Sequence, residues 1–165
     1  VSIDSSGDSL HKRGYRTATN IAPINEVLAA GMVLLSGYTG EENFIDPMCG
    51  SGTILIEAAM IANNIPANIN RKLFAFEQWK DYDEDLYFTI QESLLKKIRS
   101  SHFKIMGFDK APSAVEKATA NVANANLDEF IGVHHVNFFN SKKEVFGNAH
   151  VDPSAKKTFL PSETD

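Results

Sequence analysis

The chain has 165 residues, enough for one domain with a buried core, and 43% of them are hydrophobic, near the globular norm. A net charge of −5 argues against a self-sufficient nucleic-acid binder, and a single cysteine leaves no internal disulfide. No apolar run approaches the ~18–20 residues that span a bilayer, and the N-terminus lacks the layout of a signal peptide, so the expected compartment is the cytoplasm.

In chain order, Ser2-Ile3 reads as a strand end running into the turn Asp4-Ser5-Ser6-Gly7. Pro23 fits the first turn of a helix whose apolar face is Ile24, Val27, Leu28, Gly31, Leu34 and Leu35, with Gly37 and Thr39-Gly40 as its stop. Phe44-Ile45 reads as the first sheet strand and residues 52–63 as a crossover helix ended by Pro66. An aromatic connector over 64–82 holds Phe74, Phe76, Trp79 and Tyr82. Asp83-Glu84-Asp85 then opens a helix with acids in its first turn, where the macrodipole favours them. Phe103 to Phe108 is the second strand, ending at Asp109; Pro112 opens a helix through about Asn126; Ile131 to Val136 is the third strand. Strand, helix, strand, helix, strand predicts a parallel α/β sheet with flanking helices, whose ligands sit at the carboxyl ends of the strands. Asp46 to Gly52, Asp109 and Asn137 share that rim.

The most informative stretch is Asp46-Pro47-Met48-Cys49-Gly50-Ser51-Gly52-Thr53, which leads straight into Ile54-Leu55-Ile56. A strand that delivers an acid and two glycines to a helix N-terminus builds a nucleotide-type cofactor site, because backbone approaches the ligand where a Cβ would hold it off. Amides at the start of the helix then meet a carboxylate or phosphate. The stretch lacks the third glycine of a dinucleotide loop and the Gly-Lys-Ser/Thr of a P-loop. Asp46 would repel a polyanion and suits a ligand carrying a positive group, such as the ammonium of a methionine moiety.

This stretch resembles motif I of the class I S-adenosylmethionine-dependent RNA methyltransferases, and most of all the bacterial 23S rRNA guanine-N2 methyltransferase group, long labelled N6-adenine-specific DNA methylases. Two upstream segments and one downstream segment support the resemblance. Asp4 to Arg16 is similar to the group's D-x-S-G-x-x-L-x-x-R-G-Y-R segment, Ala22 to Ala30 to its A-P-L-K-E-x-L-A-A helix, and Gly107-Phe108-Asp109-Lys110 to the acidic tip of its second strand. The resemblance implies a Rossmann-like methyltransferase fold, of which this chain carries the N-terminal, cofactor-binding half, with S-adenosylmethionine as cofactor and ribosomal RNA as partner. It implies cofactor contacts from Asp46, Met48, Cys49, Gly50, Ser51, Gly52, Thr53, Asp109, Lys110, Asn137 and Phe138. Asp109 would accept the ribose hydroxyls; taken alone, it could equally cap the helix that follows. Asn137 would meet the adenine edge, with Phe138 or Phe139 on its face.

The group's amine-orienting motif is Asn-Pro-Pro-Tyr, and this sequence does not contain it; Asp152-Pro153 is at best a remnant. Catalytic residues are therefore not assigned, and the isolated chain is expected to bind cofactor weakly and transfer no methyl group. The expected organisation is a linker over 1–20, a partial cofactor-binding core over 21–147, and a polar tail or diverged fourth strand over 148–165. Lys12, Arg13 and Arg16 could meet RNA phosphates, or belong to a segment that organises the site. His134 and His135 have no partners at metal-ligand spacing, so no metal is expected, and Cys49 reads as a small residue in a crowded loop. Rival readings are a DNA adenine-N6 or tRNA guanine methyltransferase, a non-catalytic Rossmann-like module, and a nicotinamide-dependent dehydrogenase, against which Asp46 counts.

Overall fold

A computed structural model describes residues 2–17 and 23–141. Among them, three parallel strands, β1 (Phe44–Asp46), β2 (Ile105–Asp109) and β3 (Ile131–His135), lie in the order β1-β2-β3, with Asp46 opposite Gly107 and Asp109 opposite His135. Helices α1 (Glu26–Leu35), α2 (Thr53–Ala62), α3 (Glu84–Leu95) and α4 (Pro112–Asn124) connect or precede them. The parallel α/β expectation holds, and each strand lies within a residue or two of its predicted place. The linker expected over 1–20 does not stand clear of the core, because Tyr15 is 1% exposed within it. Residues 148–165, with Asp152-Pro153, lie outside the described residues.

The core sits between the sheet and α2 with α4. Leu55, Ile56, Ala58 and Ala59 of α2 meet Ile105, Ile131, Ala118 and Val122, all buried. Gly107 is what brings α2 so close to β2: a Cβ there would collide with Leu55 Cδ1 and stand 3.1 Å from Cys49 Sγ.

Two helix boundaries differ from expectation for identifiable reasons. The first helix begins at Glu26 because Asn25 caps it, its Oδ1 accepting from the amides of Val27 (2.9 Å) and Leu28 (3.2 Å); Pro23 lies outside. Pro66 does not end α2. Asn64 turns left-handed at φ 53°, while its amide reaches Ile61 O (3.2 Å) and the Ile65 amide reaches Met60 O (2.8 Å), a Schellman closure. The end of α4 repeats this with Asn126 at φ 56°.

The apolar face expected for α1 is also corrected. Val27, Leu28, Leu34 and Leu35 face outward, and Glu26, Ala29 and Val33 are the buried stripe. Ala29 admits α2, and an ion pair described below draws Glu26 inward. Ser2-Ile3 forms no strand, although the Asp4 turn is present: Asp4 Oδ1 accepts from the Ser6 amide (2.9 Å), Ser6 Oγ (2.8 Å) and the Gly7 amide (3.1 Å).

Candidate cofactor site

The strand β1 ends at Asp46, and five residues, Pro47 to Ser51, carry the chain to Gly52, which caps α2 with φ 82° and ψ 11°. That left-handed geometry suits glycine, and a Cβ there would press on Ala118 Cβ at 3.2 Å. The loop is pinned to the sheet at its centre, where the Cys49 amide donates to Phe108 O (2.8 Å). Asp109, at the tip of β2, pins it again. Its Oδ2 accepts from the Gly50 amide (3.0 Å) and its Oδ1 from the Ala111 amide (2.9 Å). So Asp109 is not the cap of α4, whose N-cap is Ala111 without a side-chain bond. Each Asp109 oxygen keeps a further lone pair for a ligand hydroxyl.

These groups meet at the carboxyl rim in a cavity of about 150 Å³ lined by Pro47, Met48, Asp109, Lys110, Asn137, Phe138 and Phe139. Five of the expected site residues, Met48, Asp109, Lys110, Asn137 and Phe138, thus come together. Phe138 and Phe139 cross edge to face, with centroids 5.7 Å apart, and both are exposed at the mouth. The Asn137 oxygen accepts from the Phe139 amide (3.1 Å), which leaves its Nδ2 as the donor on offer. Asp46 stands beside the cavity with Oδ1 accepting from the Met48 amide (3.1 Å). Burial, with a smaller push from Asp109, raises its pKa above the usual aspartate value.

The remaining loop residues do not line that cavity. Cys49, Ser51 and Thr53 are buried. Asn121 Nδ2 donates to Ser51 O (3.0 Å), and Thr53 Oγ1 accepts from Arg16 Nη2 (2.9 Å). The Cys49 thiol is pushed up to about 12 by burial first and by Asp46 and Asp109 after it, so at neutral pH it is protonated and no nucleophile.

Of the basic trio, only Lys12 stands in solvent. Arg13 is 8% exposed and grips Glu57, with Nε 3.3 Å from Oε1 and Nη2 3.4 Å from Oε2, while Tyr15 OH donates to the same Oε1 (3.1 Å). Burial raises the Glu57 pKa despite that pairing. Arg16 donates to Ile24 O (2.8 Å) and lies 3.4 Å from Glu26 Oε1. Arg13 and Arg16 are therefore spent on partners inside the protein. Glu57 carried a signal in the sequence, a lone carboxylate in the apolar run Ile54 to Ala62; Asn121 carried none.

A larger cavity, about 410 Å³, lies on the α1–α2 side, lined by Ala30, Leu34, Met60, Ile61 and Ile65 around the Arg13–Glu57 pair. Its polar groups already satisfy each other, so it offers a ligand little but apolar wall. Among the described residues no group of three or more His, Cys, Asp or Glu could hold a metal, and no helix is long and apolar enough to cross a membrane.

The pattern of the whole chain agrees with the geometry. A family described as RMKL-like, methyltransferase domain, matches residues 13–148. The chain belongs to that family. A curated relative, the ribosomal RNA large subunit methyltransferase K/L of Desulfotalea psychrophila, is 41% identical over 139 residues, 79% of this chain and 19% of the relative. SMU.472, described as a methyltransferase and solved in complex with SAH, superposes with a TM-score of 0.79 at 40% identity, covering 85% of this chain and 36% of that one. A protein described as a predicted N6-adenine-specific DNA methylase, from Listeria monocytogenes, superposes with a TM-score of 0.79 at 36% identity, covering 86% and 37%. The chain thus spans about a fifth of the curated relative's length. The rim cavity carries one carboxylate, Asp109, with Lys110, Asn137 and two phenylalanines, whereas the larger cavity is lined mostly by apolar side chains.

Proposed function

We propose that this chain is the S-adenosylmethionine-binding part of an RNA methyltransferase, with N2 of a guanine in 23S rRNA as the target. The observation that carries the cofactor is the joint placement of Asp109, Asn137 and two phenylalanines around one cavity with Pro47 and Met48, Asp109 also holding the adjoining glycine loop through the Gly50 amide. Asp109 accepts the ribose hydroxyls with the lone pairs its two backbone bonds leave. The Asn137 amide meets an adenine ring nitrogen, and Phe138 or Phe139 covers the base. Asp46, beside the loop, faces the ammonium of the methionine end. When bound, the cofactor supplies an electrophilic methyl group on a sulfonium.

The ribosomal target rests on family membership and on the name of the Desulfotalea relative. Arg13 is buried and Arg16 is held by partners inside the protein, which leaves Lys12 as the exposed cation of that trio. The test is calorimetric titration of the chain with S-adenosylhomocysteine, beside Asp109→Ala. Saturable binding that the variant loses supports the reading. Absence of binding by folded wild-type chain, or equal binding by the variant, contradicts it.

A further inference from the structure

Two acceptors at the end of the glycine loop, Ser51 O and Thr53 Oγ1, are each claimed by a side chain from elsewhere. Asn121, 1% exposed, donates to Ser51 O and accepts from the Thr17 amide at 3.2 Å. Arg16, the neighbouring residue, donates to Thr53 Oγ1. Arg16 therefore reaches Thr53 directly, and Thr17 is linked to Ser51 O through Asn121. The first intrahelical bond of α2 runs from the Ile56 amide to Gly52 O (3.0 Å), so the amides before it are the helix's unclaimed donors.

We propose that Arg16 is a positioning residue of the cofactor site, tying the Thr53 hydroxyl, and with it the junction of the glycine loop and α2, to the segment that precedes α1. This rests on the reading that the cofactor sits at the glycine loop. The residue type fits the task. The guanidinium donates through Nη2 to Ile24 O at 2.8 Å and Thr53 Oγ1 at 2.9 Å, while its Nε lies at ion-pair distance, 3.4 Å, from the Glu26 carboxylate. Glu26 is 4% exposed, and its charge keeps the guanidinium in place; an ammonium could satisfy one of these partners well but not all three. Thr53 and Glu57 are four residues apart on α2, hence on one face of it, and the segment Arg13 to Arg16 grips both. The Glu57 contacts, one turn deeper, fix the segment; the Thr53 contact reaches the loop.

The experiment is titration with S-adenosylhomocysteine of wild type, Arg16→Lys, Thr53→Val, Thr53→Ser and the Arg16→Lys/Thr53→Val double variant, with melting of each free protein. Valine keeps the shape of threonine without its oxygen, so folding is retained. Arg16→Lys and Thr53→Val each weaken binding about tenfold, the scale of one charge-assisted hydrogen bond. The double variant binds no more weakly than the weaker single one, because both remove the same contact. Thr53→Ser, which restores the acceptor, binds as wild type does. A merely structural brace would lower melting temperatures and leave affinity within twofold, and that result, or multiplicative losses in the double variant, overturns the proposal. If wild type itself does not bind, the cofactor reading falls and takes this inference with it; wild-type binding with unchanged variants overturns the inference alone.

Discussion

Cys49 occupies the middle of the glycine loop, yet its thiol lies against Gly107 and is pushed up to about 12 by burial and by the two nearby aspartates. A thiol-specific reagent such as Ellman's is therefore expected to label the native chain slowly at neutral pH and at the ordinary rate after unfolding; fast native labelling would refute the burial. Asp46 behaves differently because its partner is to be a cation. Burial raises its folded-state pKa, so on its own it contributes stability at low pH that is lost as pH rises through that raised value. A bound ammonium reverses the preference, since it stabilises the ionised form. Affinity for S-adenosylhomocysteine is thus expected to strengthen as pH climbs through a window above the ordinary aspartate range, and Asp46→Asn is expected to flatten that rise. Titrations at several pH values check this, and an identical pH profile for the variant would contradict it. Gly107 is the residue with least room: Gly107→Ala is expected to destabilise the fold by about 1–3 kcal/mol, read by denaturant titration, through overpacking against Leu55.

The elements show why some of this was readable in advance and some was not. Motif I was legible because a short strand, two glycines and a helix start are all local signals, and Asp109 because it terminates an apolar strand before a proline-opened helix. The face of α1 was not legible. Its sequence, Glu26 to Leu35, is apolar nearly all round, so periodicity could not choose a side; the choice falls to Arg16, which draws Glu26 in from ten positions away in sequence. Arg13 was misplaced for the same reason, since its partner Glu57 lies 44 residues on and no local pattern joins them. The stop of α2 was assigned to Pro66 because asparagine is a weaker signal than proline for the left-handed turn that in fact ends it. Asn126 tests that closure at α4. Asn126→Ala is expected to cost about 1 kcal/mol for forcing a Cβ residue without asparagine's local bonding into φ 56°, and Asn126→Gly to cost nothing, by thermal denaturation; equal effects would argue against the Schellman geometry. Glu57→Ala is expected to be far worse, about 3 kcal/mol or more, because it leaves the Arg13 charge buried alone.

At the scale of the molecule, the described sheet has β1 at one edge, paired only with β2, and Ile45 stands 42% exposed on it. Outward-facing Val27, Leu28, Leu34 and Leu35 of α1 add to the exposed apolar surface. An unpaired, apolar parallel edge templates association. Sedimentation of this chain is expected to show concentration-dependent self-association that Ile45→Lys reduces, and a wild type that stays monomeric at high concentration would contradict this. The cavity of about 150 Å³ at the carboxyl rim carries Asp109, Lys110 and Asn137 beside its aromatic walls, the cavity of about 410 Å³ behind α1 and α2 is mostly apolar, and the cofactor is assigned to the first. The most direct measurement is amide-resolved NMR during titration with S-adenosylhomocysteine. Saturable shifts are predicted for Met48, Gly50 to Gly52, Asp109 to Ala111 and Asn137 to Phe139, with Ala30, Leu34, Ile61 and Ile65 unmoved. Shifts centred on those last four, or no saturable shifts in a folded chain, would contradict it.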